Sequence, residues 1–205
     1  MPSPPVPPPP AFGEPLTLGR PAPDVLAFLA RRRSASALSL RAPGPSSAEL
    51  GDMIRLAARV PDHGKLFPWR FIVIEGQAKD ALAEKLTKIA QTLEAAPKAL
   101  AALGKLTAPP LSVAVVSHVD PAAAIPAWEQ QLSAGAACMS FLIAAEAMGY
   151  GANWITDWYA YEPRATELLG LTSGERVAGY IHLGTAGEAP QERVRPSLEA
   201  VVSYL

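Results

Sequence analysis

Residues 128–148 read WEQQLSAGAACMSFLIAAEAM, and only Glu129 and Glu146 in this stretch are charged. Its small and apolar side chains favour one long helix, for which Gly149 is a typical C-terminal cap. A helix that is apolar nearly all round must be buried on most sides. A single core in a chain of 205 residues can hardly surround it. We therefore expect a second subunit to cover part of this helix.

The rest of the chain contains further helical and extended patterns. Apolar residues at helical spacing predict helices at Val25–Leu29, Leu50–Ala58, Leu82–Leu93 and 163–170. Ser46 and Glu49 form a capping box before the second of these, and Pro61 is expected to stop it. Strands are predicted at 71–74, 111–119 and 176–184, residues 153–156 could be a strand or a loop, and 198–205 could be extended. Because helices and strands do not alternate strictly, the pattern indicates an α+β fold.

The first 23 residues differ from the rest, since they hold ten of the 22 prolines, four of them consecutive at 7–10. Such a run favours an extended polyproline II conformation. We expect residues 1–23 to be a proline-rich arm and residues 24–205 to be one globular domain. The arm is either a simple surface extension or a ligand for a partner that recognises proline.

Charge and composition exclude several classes of protein. Eighteen Lys and Arg against nineteen Asp and Glu give a net charge of −1, which does not predict a nucleic-acid partner. The longest uncharged stretch, Gln130–Ala145, is shorter than the ~20 residues of a membrane span. No basic segment followed by an apolar core begins the chain, and the single cysteine, Cys138, excludes an internal disulfide. We expect a cytoplasmic protein with no membrane contact.

Several well-known motifs are missing from the sequence. There is no GxxxxGK[ST], HExxH or GxSxG pattern, and Gly149-Tyr150-Gly151 follows a predicted helix rather than a strand. P-loop NTPases, zinc proteases, α/β-hydrolases and Rossmann dehydrogenases are therefore not indicated.

Basic residues gather at the end of the first predicted helix, in Arg31-Arg32-Arg33-Ser34. Arginine suits phosphate because its planar fork binds two oxygens at once. Cations at a helix C-terminus are also favourable by themselves, so a solvated cap is the alternative. Arg193 and Arg195 in a late loop allow the same two interpretations.

The polar segment Arg59–Lys65 leads into a predicted strand, which is a good position for ligand-binding side chains. Asp62 beside His63 could form a catalytic acid–base pair, but no Ser or Cys nucleophile accompanies them, and a structural role is favoured for His63. His118 and His182 lie inside predicted strands, so we expect them in the core or on a face of the sheet. Cys138, within the apolar helix, is expected to pack as an inert hydrophobic residue.

Taken together, several segments resemble the FMN-dependent nitroreductase family, in particular its small-subunit bacterial NAD(P)H branch. They occur in the family's order and spacing from about Val25 to the C-terminus. The segments are RRSAS at 32–36, ARVPDH at 58–63, PWRFIVIEG at 68–76, WEQQLSAG at 128–135 and YIHLGT at 180–185.

The resemblance implies a fold and an activity. The fold is a central, mostly antiparallel sheet flanked by helices, in an intertwined homodimer with a long buried interface helix. The activity is hydride transfer from NADH or NADPH, through N5 of FMN, to a small oxidised acceptor such as a nitroaromatic or a quinone, in a ping-pong cycle. No acid–base side chain is required for the hydride step. An FMN-binding carrier or sensor without turnover is the alternative.

The resemblance also implies site residues. Those expected to contact the phosphate-to-pyrimidine side of FMN are Arg32, Arg33 and Ser34. Those expected to reach the same flavin from the partner subunit are Arg59 and His63, and those flanking the ring are Trp154, Ile155 and Thr156. The stretch matching a segment assigned to NAD(P) is Ala144, Ala145, Glu146, Ala147, Met148 and Gly149. Residues placed near the cofactor by their position are Gly184, Thr185, Arg193 and Arg195.

Three residues depart from the family pattern. Phe67 stands where the family often has Gln or Asn before Pro-Trp, which implies a more apolar pocket. Ile155 and Asp157 replace residues that are commonly more polar or smaller near the flavin edge. These differences concern the acceptor more than the binding of FMN.

Overall fold

The structure is a computed structural model that describes residues 3–17 and 19–205. Its helices are α1 (Pro23–Arg31), α2 (Ser47–Ala57), α3 (Gly76–Ala90), α4 (Ala96–Ala102), α5 (Gly104–Thr107), α6 (Ala127–Ala147), α7 (Pro163–Glu167) and α8 (Leu198–Val201). Its strands are β1 (Leu40–Arg41), β2 (Trp69–Glu75), β3 (Leu111–His118), β4 (Gly151–Ile155) and β5 (Glu175–Ala186). Short 3-10 turns occur at 37–39, 63–65 and 158–160.

The five strands of the described chain form one antiparallel sheet in the order β1-β5-β3-β2, with β4 also paired to β5. The β3 strand lies in the middle and is buried along nearly its whole length, which explains its run of valines. The predicted α+β class and its mostly antiparallel sheet are confirmed.

The sheet separates two apolar cores. On one face, α2 and α6 pack over Val113, Val115 and Ile181. On the other face, α3, α4 and α5 cover Ala114 and Tyr180. The described chain therefore forms three layers, with a helical layer on each side of the sheet.

The capping box at the start of α2 is confirmed. Ser46 Oγ accepts a hydrogen bond from the Glu49 amide at 3.4 Å, and the Ser46 amide donates to Glu49 Oε2 at 2.8 Å. The helix ends at Ala57 rather than running up to Pro61. Residues 58–62 form the turn that carries the polar loop.

Residues 151–155 form the edge strand β4, which settles the choice between strand and loop. Gly151 pairs with Gly184, and a Cβ on Gly151 would approach Leu40 Cδ2 to 2.6 Å and Ala186 Cβ to 3.0 Å. Position 151 must therefore be a glycine, because any side chain there would prevent β1 and β4 from both pairing with β5 so close together. This requirement comes from a neighbour more than a hundred residues away, so periodicity cannot reveal it.

Some predicted boundaries were wrong. The α3 helix begins at Gly76, directly after β2, and ends at Ala90, so Leu93 lies outside it. Residues 198–201 form a short helix where an extended segment was expected. The sequence analysis did not predict β1, α4 or α5, because elements of two to seven residues carry too few apolar positions for a period to be recognised.

The expectations about three single residues agree with the structure. Cys138 is fully buried, and this burial raises the pKa of its thiol to about 12, so the thiol is inert. His182 is fully buried, with Nδ1 2.7 Å from Ser112 Oγ. His118 is the last residue of β3, where its side chain is exposed and lies 3.6 Å from Glu175.

The buried His182 predicts that mild acid destabilises the fold. Loss of hydration, helped by the charges of Lys79 and Lys105, lowers the pKa of His182 from 6.5 to about 4. Between these two pH values the unfolded chain binds a proton that the folded chain does not, so stability falls as the pH falls. Urea unfolding of the cofactor-free protein at pH 5 should show about 2 kcal/mol less stability from this residue than at pH 7.5.

The His182→Gln variant is the control, since its side chain does not titrate. It should lose this part of the pH dependence even if it is less stable at both pH values. An unchanged difference between pH 7.5 and pH 5 in the variant would show that His182 is not its source.

The beginning of the proline-rich arm lies against α2. Ser3 Oγ donates to Glu49, Arg55 Nη2 donates to the Pro7 carbonyl at 2.9 Å, and Val6 packs on the core beneath α2. This placement fits a surface extension that rests on its own domain. The division of the chain into an arm at 1–23 and a domain at 24–205 stays a prediction.

Candidate functional site

The residues after α1 line a crevice of about 680 Å³. Its walls come from the end of α1, from β4 and from the loop that follows β5. The lining residues are Arg33, Ser34, Ala35, Ser36, Asn153, Glu188, Ala189, Pro190, Gln191 and Arg193. Two guanidinium groups and two serine hydroxyls therefore share one crevice with the carboxylate of Glu188, and the excess of positive charge suits an anionic ligand.

Hydrogen bonds to β4 hold the segment after α1 in place. The Ala35 amide donates to the Ala152 carbonyl at 3.0 Å, and Asn153 Nδ2 donates to the Ala35 carbonyl. Asn153 Oδ1 is buried and has no hydrogen-bond partner among the described residues. A buried acceptor of this kind needs a donor. The sequence analysis did not single out Asn153, although an amide inside a short strand is a signal that could have found it.

The three consecutive arginines have three different environments. Arg31 is exposed, Arg33 Nε donates to the Gln191 carbonyl at 2.9 Å, and Arg32 pairs with Glu146. Arg33 is thus the one that lines the crevice. The sequence alone could not separate them, because the separation depends on residues 114 and 158 positions away.

The two late arginines also differ from each other. Arg193 lines the crevice, whereas Arg195 does not line it and has its Nη2 3.1 Å from Glu192 Oε1. The predicted neighbours Gly184 and Thr185 do not line the crevice. Gly184 is packed against Pro110 and the Arg41 carbonyl, and Thr185 Oγ1 donates to the Pro43 carbonyl at 2.8 Å.

A second, smaller crevice of about 310 Å³ lies beside the start of α6. It is lined by Pro61, His63, Glu129, Leu132, Ser133 and Ala136. His63 Nδ1 lies 2.7 Å from Glu129 Oε2, and both side chains are largely exposed. Arg59 is exposed nearby but lines neither crevice.

The Asp62–His63 acid–base pair does not form. The Asp62 carboxylate accepts hydrogen bonds from the backbone amides of Leu66 at 3.2 Å and Phe67 at 2.9 Å. It therefore shapes the loop, in which Phe67 adopts a left-handed φ of 48°. Since His63 has Glu129 as its partner instead, this loop holds no catalytic dyad.

The residues expected beside the flavin ring lie at the end of β4. Trp154 is about one-third exposed, at 37%, and its Nε1 donates to the Ala178 carbonyl at 3.4 Å. A Cβ on Gly179 would approach Trp154 Nε1 to 2.0 Å, so the indole position depends on that glycine. Thr156 Oγ1 accepts a hydrogen bond from Tyr161 at 2.9 Å, and Ile155 is half-buried.

The stretch expected to bind NAD(P) lies at the end of α6. Ala144, Ala145 and Met148 are buried in the core under α2, and Glu146 is held by Arg32. The exposed residues of the stretch are thus Ala147 and Gly149, of which only Ala147 has a side chain to offer a dinucleotide. The structure accordingly gives this stretch a packing role, and the NAD(P) assignment stays a prediction.

A third crevice, of about 520 Å³, lies on the other side of the sheet, beside α4. Lys98, Lys105, Asp157 and Trp158 are among its lining residues, and none of the residues predicted to bind FMN lines it. Within the described residues, no group of three or more His, Cys, Asp and Glu side chains could hold a metal ion. No helix of the described chain is long and apolar enough to cross a membrane.

The α6 helix is not buried all round by its own chain. Trp128 is 67% and Leu132 53% exposed, and the half-buried residues that continue this stripe are Gly135, Ala136, Met139 and Ile143. The α1 helix has no buried residue at all, and its apolar Val25 and Leu26 are 55% and 68% exposed. Apolar surface of this extent is typical of a protein interface.

The antiparallel sheet with helices on both faces, with an arginine- and serine-lined crevice after α1, gives the chain a nitroreductase-like fold. A nitroreductase-like protein from Bacillus cereus superposes with a TM-score of 0.78, at 21% identity over 93% of this chain and 99% of that one. A nitroreductase with bound FMN from Bacteroides fragilis NCTC 9343 superposes with a TM-score of 0.66, at 18% identity over 89% and 98%.

The sequence profile of the nitroreductase family matches residues 29–185, and the chain belongs to this family. It is 34% identical over 163 residues to a protein of Escherichia coli (strain K12) named as an NAD(P)H nitroreductase, YdjA, covering 79% of this chain and 88% of that protein. A Haemophilus influenzae protein named in the same way is 32% identical over 174 residues, covering 84% and 94%. These relatives give the chain an oxidoreductase role.

Proposed function

We propose that the chain is an FMN-dependent oxidoreductase that uses NADH or NADPH to reduce a small acceptor. The observation that carries the proposal is the crevice after α1, in which Arg33 and Arg193 meet Ser34. A volume of about 680 Å³ lies within the range of ligand and cofactor sites. FMN-bound and FMN- and NADPH-dependent nitroreductases among the structural neighbours support the choice of cofactor.

The residues of the crevice fit the chemical groups of FMN. Arg33 and Arg193 would neutralise the phosphate, and the Ser34 hydroxyl would donate to one of its oxygens or to a ring carbonyl. The unpartnered Asn153 Oδ1 supplies an acceptor for a flavin N–H or a ribityl hydroxyl. Trp154 and Ile155 would exclude water from one edge of the ring.

The site is proposed to be completed in a homodimer. The exposed stripe of α6 and the unburied apolar face of α1 both need a cover, and the crevice beside His63 lies next to that stripe. A second copy of the chain would bury both surfaces and bring Arg59 and His63 to the flavin of its partner. Glu129, 2.7 Å from His63, would keep that imidazole in one orientation.

When bound, FMN would supply an N5 atom that takes a hydride from NADH or NADPH and passes it to the acceptor. The chain's own residues hold the phosphate, position the ring edge and keep water out. We propose a nitroaromatic, a quinone or a similar small molecule as the acceptor. A cytoplasmic location stays a prediction of the sequence.

The proposal predicts that the purified protein is yellow. After removal of the cofactor, FMN titration should quench flavin fluorescence. NADH or NADPH added without air should bleach the visible absorption, and a quinone should restore it. Steady-state oxidation of NAD(P)H with a quinone separates an enzyme from a carrier or sensor, which would bind FMN without turnover. A colourless protein that does not quench FMN would refute the proposed function.

A further inference from the structure

The carboxylate of Glu146 lies against Arg32 in a two-point contact. Arg32 Nε is 2.8 Å from Glu146 Oε2, and Arg32 Nη2 is 3.0 Å from Oε1. The two side chains are only 16% and 10% exposed. This geometry fixes the plane of the guanidinium, because two parallel hydrogen bonds hold it at once.

The position of Glu146 in α6 is unfavourable without this partner. It is the penultimate residue of the helix, where the carbonyl ends of the backbone repel a negative charge. Its neighbours Ala144 and Ala145 are buried in the core, which leaves the carboxylate little freedom to move. The contact with Arg32, which raises the pKa of that guanidinium, offsets the repulsion.

Arg32 in turn acts on Ser34, a residue of the crevice. Arg32 Nη2 donates to Ser34 Oγ at 3.1 Å, so the serine oxygen is used as an acceptor and its own proton is free to point elsewhere. Arg32 Nη1 makes no hydrogen bond to the described residues. The chain Glu146–Arg32–Ser34 therefore leaves the Ser34 hydroxyl at the crevice wall with its proton unused, whereas Arg32 itself does not line the crevice.

We propose that Glu146 is a positioning residue of the cofactor site, which fixes Arg32 and through it orients the Ser34 hydroxyl toward the anionic ligand, and which makes no contact with a nicotinamide dinucleotide. This inference rests on the proposed FMN function. It separates Glu146 from the NAD(P) role that the resemblance implies, because its two carboxylate oxygens are already occupied by Arg32.

The Glu146→Gln variant tests the inference, because glutamine keeps the shape of the side chain and loses its charge. Two effects oppose each other. Loss of a negative charge near the site favours a phosphate, whereas loss of the fixed guanidinium weakens its binding. If positioning dominates, the Kd for FMN, measured by fluorescence quenching, should rise about tenfold. Tighter binding or an unchanged Kd would overturn the proposal.

In a variant that lacks Arg32, the effect of Glu146→Gln on FMN binding should have the opposite sign. In Arg32→Ala, Glu146 is an unpaired carboxylate beside an anion site, so adding Glu146→Gln should tighten FMN binding or leave it unchanged. If the two substitutions instead weaken binding additively, Glu146 does not act through Arg32. The KM for NADH and NADPH should not change in Glu146→Gln, and a rise in KM with an unchanged Kd for FMN would favour the dinucleotide role.

Glu175→Gln is the matched control, because Glu175 holds Arg70 in the same two-point manner and lines none of the crevices assigned to the cofactor. It should lower the melting temperature about as much as Glu146→Gln without changing the Kd for FMN. If the Kd for FMN also rises tenfold in this control, the rise in Glu146→Gln is explained by general destabilisation and the positioning role is overturned.

Thermal unfolding separates failure of the inference from failure of the proposed function. In cofactor-free protein, Glu146→Gln should destabilise the wild type more than it destabilises Arg32→Ala. Absence of this coupling would overturn the positioning role whatever the FMN result. If the variants show the coupling between Glu146 and Arg32 but the wild type binds no FMN, the proposed function is overturned. The Glu146–Arg32 pair is then a purely structural contact.

Discussion

A Leu132→Glu variant should be monomeric and should lose FMN binding by at least about a hundredfold. Leu132 is 53% exposed in the described chain, lies in the centre of the apolar stripe of α6 and lines the crevice beside His63. In the proposed homodimer its side chain is buried, and an unpaired carboxylate there costs about 3 kcal/mol or more. Since both half-sites depend on this contact, loss of the dimer removes the partner's contribution to the flavin.

Sedimentation or light scattering measures the mass, and fluorescence quenching measures FMN binding. Circular dichroism should show that the variant keeps its helix content, because Leu132 contributes little to the core of its own chain. Leu168→Glu is the control, since Leu168 is also partly exposed, at 36%, but lies after α7 and away from the stripe. A dimeric Leu132→Glu protein with normal FMN affinity would refute the interface.

Reversal of the charge of Arg33 in the crevice should weaken FMN binding about as much as Leu132→Glu does. Arg33→Glu replaces the guanidinium that the proposed function assigns to the FMN phosphate by a carboxylate, so it should remove a charge-assisted hydrogen bond worth about 1.5–3 kcal/mol and add repulsion. We expect the Kd for FMN to rise at least about a hundredfold. Riboflavin, which has no phosphate, should lose much less affinity, and the ratio of the two Kd values measures the contribution of the phosphate.

Arg31→Glu is a matched control, because it makes the same change of charge two positions earlier on an exposed side chain. It should alter the FMN affinity only slightly, and less so at higher salt. Equal losses in both variants would mean that a diffuse positive field, rather than a contact from Arg33, attracts the ligand.

The two carboxylates of α6 show what a sequence pattern can predict and what it cannot. The sequence shows that Glu129 and Glu146 are the only charges in an apolar helix, but it does not show why they are tolerated there. In the structure, Glu129 lies 2.7 Å from His63 and Glu146 lies 2.8 Å from Arg32. Each holds a residue that the resemblance places at the flavin, across sequence separations of 66 and 114 residues. Such pairs depend on chain topology and leave no local signal.

The same limit applies to Arg32, Arg33 and Ser34. Their resemblance to a family motif singled out this segment, of which Arg33 and Ser34 line a polar crevice of about 680 Å³. It treated the two arginines alike, whereas one faces a carboxylate of α6 and the other faces the C-terminal loop. The expected burial of α6 on most sides is seen in the structure, and the apolar stripe that its own chain leaves exposed is the face for which a second subunit is predicted.

By itself, the sequence determined the α+β class, the capping box at Ser46, the central strands and the extent of α6, because these depend on residues within a few positions of one another. Only the tertiary structure decided that β4 is an edge strand, that Arg33 and Arg193 share a crevice, and that Glu146 belongs to Arg32. These features arise where segments distant in the chain are packed into contact. Their energy comes from close packing and paired charges, which no local pattern of residues records.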